Sequence, residues 1–158
     1  MQLGFCMLEA GSVRKKNISS ILVKNLQNCG IAAISFFIVG FSFASGPGPD
    51  GAKSLFLGSS GSALIGAPDS MEGTWFIQYA FAQASSSIVS GAVAERMTVE
   101  AYLVFAAVMT GFIFPVISCW IWNVKGWLHF GNDNSTLNGI IDCAGCGVVH
   151  LSGGIAAL

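Results

Sequence analysis

Asp142 and His150 share one apolar stretch, GIIDCAGCGVVHLSGGIAAL (139–158), and both side chains can ionise. Neutral imidazole offers one donor and one acceptor, so it can line a path or hand on a proton without holding a charge. Read as one continuous helix, the stretch places His150 about 12 Å further in than Asp142. Half of a hydrocarbon core is about 15 Å. With Asp142 at one mouth, His150 falls near the midplane, where ionisable side chains are costly and mark a solute path or proton relay. The plainer reading of His150 is packing, with its ring bonded to a carbonyl of a neighbouring helix. Asp142, near a helix start, reads both as an N-terminal cap and as a fixed anion at a cation entrance.

Cys143 and Cys146 form a CxxC, and His150 follows Cys146 by four residues. A metal or redox site is conceivable, but only one further ligand is in view. The expected use is instead as small apolar residues in tight helix contact. Gly145, Gly147, Gly153 and Gly154 point the same way, since glycine lets helices approach closely. No metal and no cofactor are expected. Trp120 and Trp122 close an apolar span where an interfacial aromatic belt is usual. Phe81, taken alone, reads as core. Taken together, the residues make a pattern: aromatic faces and a carboxylate at an outer mouth, a Phe beneath, then a His deep inside. Aromatic faces attract small cations by roughly 0.5–2 kcal/mol per contact.

The elements that must carry these residues are apolar helices. Of 158 residues, 53% are hydrophobic and 9% charged, with mean hydropathy +0.68 and net charge −1. Soluble domains carry about 25% charged residues, so this composition belongs in a membrane. Neither the charge nor any basic run suits nucleic acid. Five cysteines, mostly inside apolar spans, are no disulfide framework. The first eleven residues lack a basic leader and are no signal peptide. Expected spans are about 1–10 (partial), 21–45, 74–94, 101–124 and 139–158. Pro115 should kink the fourth. SGPGPDG opens a long loop over 46–72, and a second loop runs over 125–138. The Ala, Ser and Gly content of the third span suits close helix contact. Both ends read as cut, as in an internal fragment of a larger membrane protein.

Arg14, Lys15, Lys16, Lys24 and Arg96 fall on one side of these spans, and Lys53 and Lys125 on the other. The positive-inside rule makes the first side cytoplasmic and turns both long loops outward. Asn134-Ser135-Thr136 is then an outward glycosylation triplet, but Asn17-Ile18-Ser19 matches on the wrong side, so the signal is weak.

Four stretches carry a resemblance: GFCMLEAGSVRKKN (4–17), FIQYAFAQASSSIVSGAVAER (76–96), FPVISCWIW (114–122) and DCAGCGVVHLSGGIAAL (142–158). The chain resembles the ammonium transporter family (Amt/Mep, related to Rh proteins), over essentially its whole length and less than half of a typical member. The resemblance implies an all-α polytopic membrane helical bundle built on inverted five-helix repeats, with residues 1–158 forming most of the first repeat. It implies transport of ammonium or ammonia, no enzyme activity, a homotrimer in the lipid bilayer, and a plasma-membrane location. By position, Phe81 matches an outer gate Phe, Trp122 a recruitment-site Trp, and Asp142 the Asp supporting that site. His150 matches the first of two pore histidines, and Gln78, near Phe81, lies close to the path. The second His, the inner gate Phe and a recruitment-site Ser would fall beyond Leu158. Two positions depart: Cys143 stands where an aromatic is usual, and Ser118 or Cys119 where His is often found. An ammonium sensor of the same fold is the alternative. A membrane metalloprotein using Cys143, Cys146 and His150 is a third reading.

Overall fold

A computed structural model describes residues 1–46, 56–59, 62–65, 71–133 and 138–158. Asn134, Lys53 and most of the loop expected over 46–72 lie outside the described residues. Among the described residues the chain forms an all-α bundle of five helices, with a short 3-10 turn over Ser62–Leu64. The helices are α1 (Gln2–Ser12), α2 (Lys15–Ser45), α3 (Met71–Ala92), α4 (Val99–Ile121) and α5 (Cys146–Ala156). Helices α2 and α4 are each long and apolar enough to cross a membrane. The chain is thus a membrane helical bundle.

Helix α3 contacts all four other helices. That central place explains a sequence poor in leucine and rich in serine. Ser85, Ser86, Ser87 and Ser90 are buried, and buried hydroxyls need partners. Ser86 donates to Asn28 Oδ1 (3.1 Å), and Ser87 donates to Gln2 Oε1 (2.7 Å). Tyr102 of α4 donates its hydroxyl to the Ser86 carbonyl at 3.1 Å. Near one end of the bundle sits a buried ion pair, Lys24 Nζ to Glu9 Oε2 at 3.3 Å, with side chains 6% and 5% exposed. Asn25 and Ser90 donate to the same carboxylate oxygen, at 3.1 and 2.8 Å. Lys24 also donates to the Ser90 carbonyl and lies over the Tyr102 ring, 4.9 Å from its centroid. One cluster so joins α1, α2, α3 and α4. The sequence reading counted Lys24 with the cytoplasmic charges. In the structure α2 begins at Lys15, so Lys24 lies inside the helix near that same end, where it faces Glu9.

Helices α2 and α4 each contain a π-helical turn, Phe36–Gly40 and Met109–Ile113. The two turns meet. A Cβ on Gly40 would lie 2.7 Å from the Thr110 carbonyl oxygen and 3.1 Å from the Pro115 ring. Pro115 has no N–H to give the preceding turn, and the helix widens into the π-turn just before it. The third close approach is between α3 and α5, where a Cβ on Gly153 would meet the Ser85 carbonyl at 2.9 Å.

The stretch expected as a helix from 139 is helical only from Cys146. Ala144 (φ +57°) and Gly145 (φ +80°) adopt left-handed conformations, which a right-handed helix cannot contain. At the opposite, basic end, exposed Glu95 (φ +63°) sits between α3 and α4. It accepts from the Arg14 backbone N–H (2.9 Å), the Asn17 amide (2.6 Å) and the Arg14 guanidinium (3.1 Å). The Arg14 backbone bond, the Asn17 amide and the Arg14 guanidinium, in that order, hold the Glu95 carboxyl down, from its ordinary 4.5 to about 2.

Two outcomes follow. Lys24→Met leaves Glu9 buried and short of its cation, and is expected to cost about 3–5 kcal/mol. Lys24→Met with Glu9→Gln should recover much of that in detergent unfolding titrations, and equal stability of Lys24→Met and wild type would show the pair to be inert. Because the Glu95 pKa is depressed, its contribution is complete above pH 4.5 and is lost as pH falls through about 2. Pepsin cleavage near Arg14 should therefore rise steeply as pH drops across that window, and Glu95→Gln should flatten the rise.

Candidate functional site

The candidate site lies at the end of the bundle opposite Glu95, where α4 finishes and α5 begins. Trp122 caps the C-terminus of α4. Its indole N–H donates to Asp142 Oδ2 at 2.8 Å. The other carboxylate oxygen, Oδ1, accepts the Gly147 backbone N–H at 2.6 Å. Gly147 is the second residue of α5, so its N–H has no partner within the helix. Asp142 thus does cap α5, but from outside it, five residues before Gly147 and across the left-handed Ala144–Gly145 turn. The expected depth of His150 below Asp142 assumed a continuous helix, and it fails because four of the eight intervening steps lie outside one.

Phe81 of α3 meets Trp122 edge to face, with ring centroids 5.3 Å apart, and Phe114 packs on the same indole at 6.1 Å. Three of the predicted residues, Phe81, Trp122 and Asp142, therefore form one contiguous group drawn from α3, α4 and the turn before α5. Half-buried Gln78, about one turn from Phe81, accepts a hydrogen bond from the Ser45 hydroxyl at 3.1 Å and ties α3 to the end of α2. His150 stands apart from the group on α5, on its exposed side.

The environment of His150 fixes its chemistry. Its Nδ1 lies 3.1 Å from the Gly145 carbonyl oxygen. A carbonyl only accepts, so Nδ1 carries the hydrogen and the neutral ring leaves Nε2 as an acceptor. The His150 backbone N–H also bonds the Gly145 carbonyl, at 3.0 Å, five residues back. This is the π-turn Cys146–Leu151, and it holds backbone and ring to one oxygen.

The two tryptophans that ended the fourth span together in sequence separate in space. Trp120 donates to the Phe56 carbonyl at 2.8 Å, packs tilted against the Phe56 ring at 5.0 Å and meets the Trp127 ring edge to face at 5.6 Å, serving the loop. Residues two apart on a helix diverge by about 200°, which leaves Trp122 alone facing Asp142. The sequence reading missed His129. Its Nδ1 bonds the Ile121 carbonyl at 2.8 Å, and with Trp122, Phe130, Ile140 and Asp142 it lines a cleft of about 330 Å³. Its place in a loop beyond the span, without periodicity, gave no signal.

Cys143 and Cys146 are exposed, which corrects their assignment to a tight helix contact. Of the four glycines grouped with them, Gly153 makes a close interhelical approach, while a Cβ on Gly154 would meet nothing within 4 Å. Among the described residues no group of three or more His, Cys, Asp or Glu side chains is placed to hold a metal ion.

A family model described as the Ammonium Transporter Family matches residues 1–158. The chain is 45% identical to Ammonium transporter 1 member 3 of Solanum lycopersicum, over 99% of this chain and 34% of that protein. It is 42% identical to Ammonium transporter 3 of Dictyostelium discoideum, over 98% of this chain and 33% of that protein. The chain spans about a third of the length of these curated relatives. Among solved structures, one named Sensor Amt Protein superposes with a TM-score of 0.82 at 31% identity, over 99% of this chain and 38% of that one.

The Trp122 indole has two separable parts, a ring that packs and an N–H that donates. Trp122→Phe keeps the ring against Phe81 and Phe114 and removes the donor. With the loss of about 1 kcal/mol of hydrogen-bond free energy, hydrogen exchange at the Gly147 amide should quicken about fivefold. An unchanged exchange rate would show that Trp122 does not hold Asp142 in place.

Proposed function

This chain belongs to the ammonium transporter family, and from that premise we propose that it forms part of a pore that carries ammonium or ammonia across a membrane. The observation that carries the reading is the Trp122–Asp142 bond with Phe81 on the indole edge. It gathers a carboxylate and two aromatic rings at one end of an apolar bundle, as a cation entrance requires. Asp142 is held in place by two N–H donors, the Trp122 indole and the Gly147 amide, and a carboxylate there raises the local concentration of cations. Trp122 and Phe81 offer ring faces that attract an ammonium-sized cation. Gln78 borders the path beside Phe81. Further along α5, on its open side, the acceptor Nε2 of His150 receives a hydrogen bond from the solute.

The energetics favour passage as a neutral amine. Moving such an ion into a medium of low dielectric costs on the order of 20 kcal/mol in the Born picture. Deprotonating an amine as basic as lysine at neutral pH costs about 5 kcal/mol. An apolar pore with an imidazole beside it suits the cheaper route. By the basic asymmetry of Arg14, Lys15, Lys16 and Arg96, the Trp122–Asp142 end faces outward. The reading includes a homotrimeric assembly in the plasma membrane and no enzymatic step. A second reading, an ammonium sensor, is favoured by the likeness to the Sensor Amt Protein. Flux separates the two, because a sensor binds without sustained uptake.

Uptake of labelled methylammonium by the protein carrying this chain, in a host lacking its own uptake, tests the proposal. Asp142→Ala should abolish uptake, since charge and cap go together. Asp142→Asn keeps an acceptor for Gly147 and should reduce uptake severalfold at unchanged surface expression. Full uptake in Asp142→Ala would overturn the entrance. In the same assay His150→Ala should change rate or selectivity over K⁺, and an unchanged rate and selectivity would leave His150 a packing residue.

A further inference from the structure

The two exposed thiols beside the entrance have no part in the function proposed above. Cys143 and Cys146 are the ends of a hydrogen-bonded turn, with the Cys146 N–H 3.3 Å from the Cys143 carbonyl oxygen. The two residues between them, Ala144 and Gly145, both have positive φ. Such a turn keeps its end Cα atoms within about 7 Å, and a disulfide needs them about 4.4–6.8 Å apart. Both thiols are open to solvent. The turn is also bracketed by the site. Asp142 precedes Cys143, and Gly147, whose N–H holds the Asp142 carboxylate at 2.6 Å, follows Cys146.

We propose that Cys143 and Cys146 are an oxidisable dithiol whose disulfide unseats Asp142 and lowers transport. The consequence for transport rests on the pore reading, while the dithiol chemistry does not. The oxidant is a small-molecule disulfide. One cysteine thiolate attacks it, forming a mixed disulfide and releasing one small thiolate. The second cysteine thiolate then attacks the protein-bound sulfur of that mixed disulfide and releases the other. Two protein thiols are oxidised, one small disulfide is reduced to two thiols, and the two cysteine protons end on those products. Closing the disulfide across a turn already near that span replaces two freely rotating side chains with a rigid link that fixes the Cys143–Cys146 geometry. Asp142 and Gly147 are each bonded directly to one of these cysteines, so the dihedral angles the link imposes on the turn bear directly on the 2.6 Å bond between them, and that bond is what the disulfide weakens. On the outward face proposed above, this pair meets the more oxidising compartment.

The test applies oxidised glutathione, which does not cross the membrane, to intact cells expressing the protein. Alkylation and mass spectrometry of the 143–146 peptide report its thiol state, and methylammonium uptake is followed in parallel. Oxidation should protect both cysteines from alkylation and lower uptake severalfold, and dithiothreitol should reverse both changes. Cys143→Ser and Cys146→Ser should keep basal uptake and lose the response. Free, alkylatable thiols after treatment would overturn the dithiol, as would a protected pair with unchanged uptake for its effect on Asp142. A protein that shows no uptake before treatment fails the pore reading instead, and its thiol state still decides the dithiol chemistry.

Discussion

Burying the Lys24 ammonium sets the terms for the bundle. A charge removed from water is costly unless it is paired and its remaining bonding capacity is met. Here the partner is Glu9 of α1, the carbonyl comes from Ser90 of α3, and the aromatic face comes from Tyr102 of α4. No one helix can supply all of these, so the four must pack together around the charge. The serine-rich sequence of α3 follows from the same demand. Over Ala82–Ser90, where α3 is enclosed by its neighbours, short hydroxylated side chains let those helices approach and still satisfy polar groups, while Phe76 and Ile77 face outward nearer its start.

Close approach is the second constraint, and backbone atoms decide it. Gly40 rests against Thr110 and Pro115 where two π-turns meet, and Gly153 rests against Ser85. These contacts fix how α2 lies on α4 and how α5 lies on α3. They also set where the free ends of α4 and α5 emerge. Asp142 reaches Trp122 because α4 ends beside the turn that opens α5. In this way the buried contacts at mid-bundle carry through to the entrance, although no side chain of the Glu9–Lys24 cluster touches the site in the described contacts.

The entrance is built from parts with two duties. Asp142 completes the open start of α5 and supplies a fixed anion, and Trp122 ends α4 and holds that anion in register. Phe81 supports the indole from α3. His150 is set differently, by a π-turn that brings its backbone and its ring to the Gly145 carbonyl. One local bond therefore selects its tautomer without a contact from another helix.

The sequence by itself determined the class of molecule. Composition and the spacing of apolar runs required membrane helices, and four motif stretches carried the family. Asp142 was legible as a helix cap because the chemistry of caps is local. Other features were not legible, each for a physical reason. Lys24 was legible only as a polar residue at the entry end of a span, because its partner Glu9 lies on another helix and pairing across helices leaves no periodic trace. Trp120 and Trp122 looked alike because the direction each faces depends on where α4 ends. The left-handed turn before α5 was read as helix because Ala144 is a good helix former; there it adopts an uncommon conformation beside the bonds of Asp142 to Gly147 and Trp122. Cys143 and Cys146 were assigned to the interior because apolar sequence marks a span without saying which face is covered. Local propensity and hydropathy are properties of the chain. The partner of a buried charge, the facing of a ring and the exposure of a thiol depend on groups brought close only when the helices pack, and the tertiary structure alone decides them.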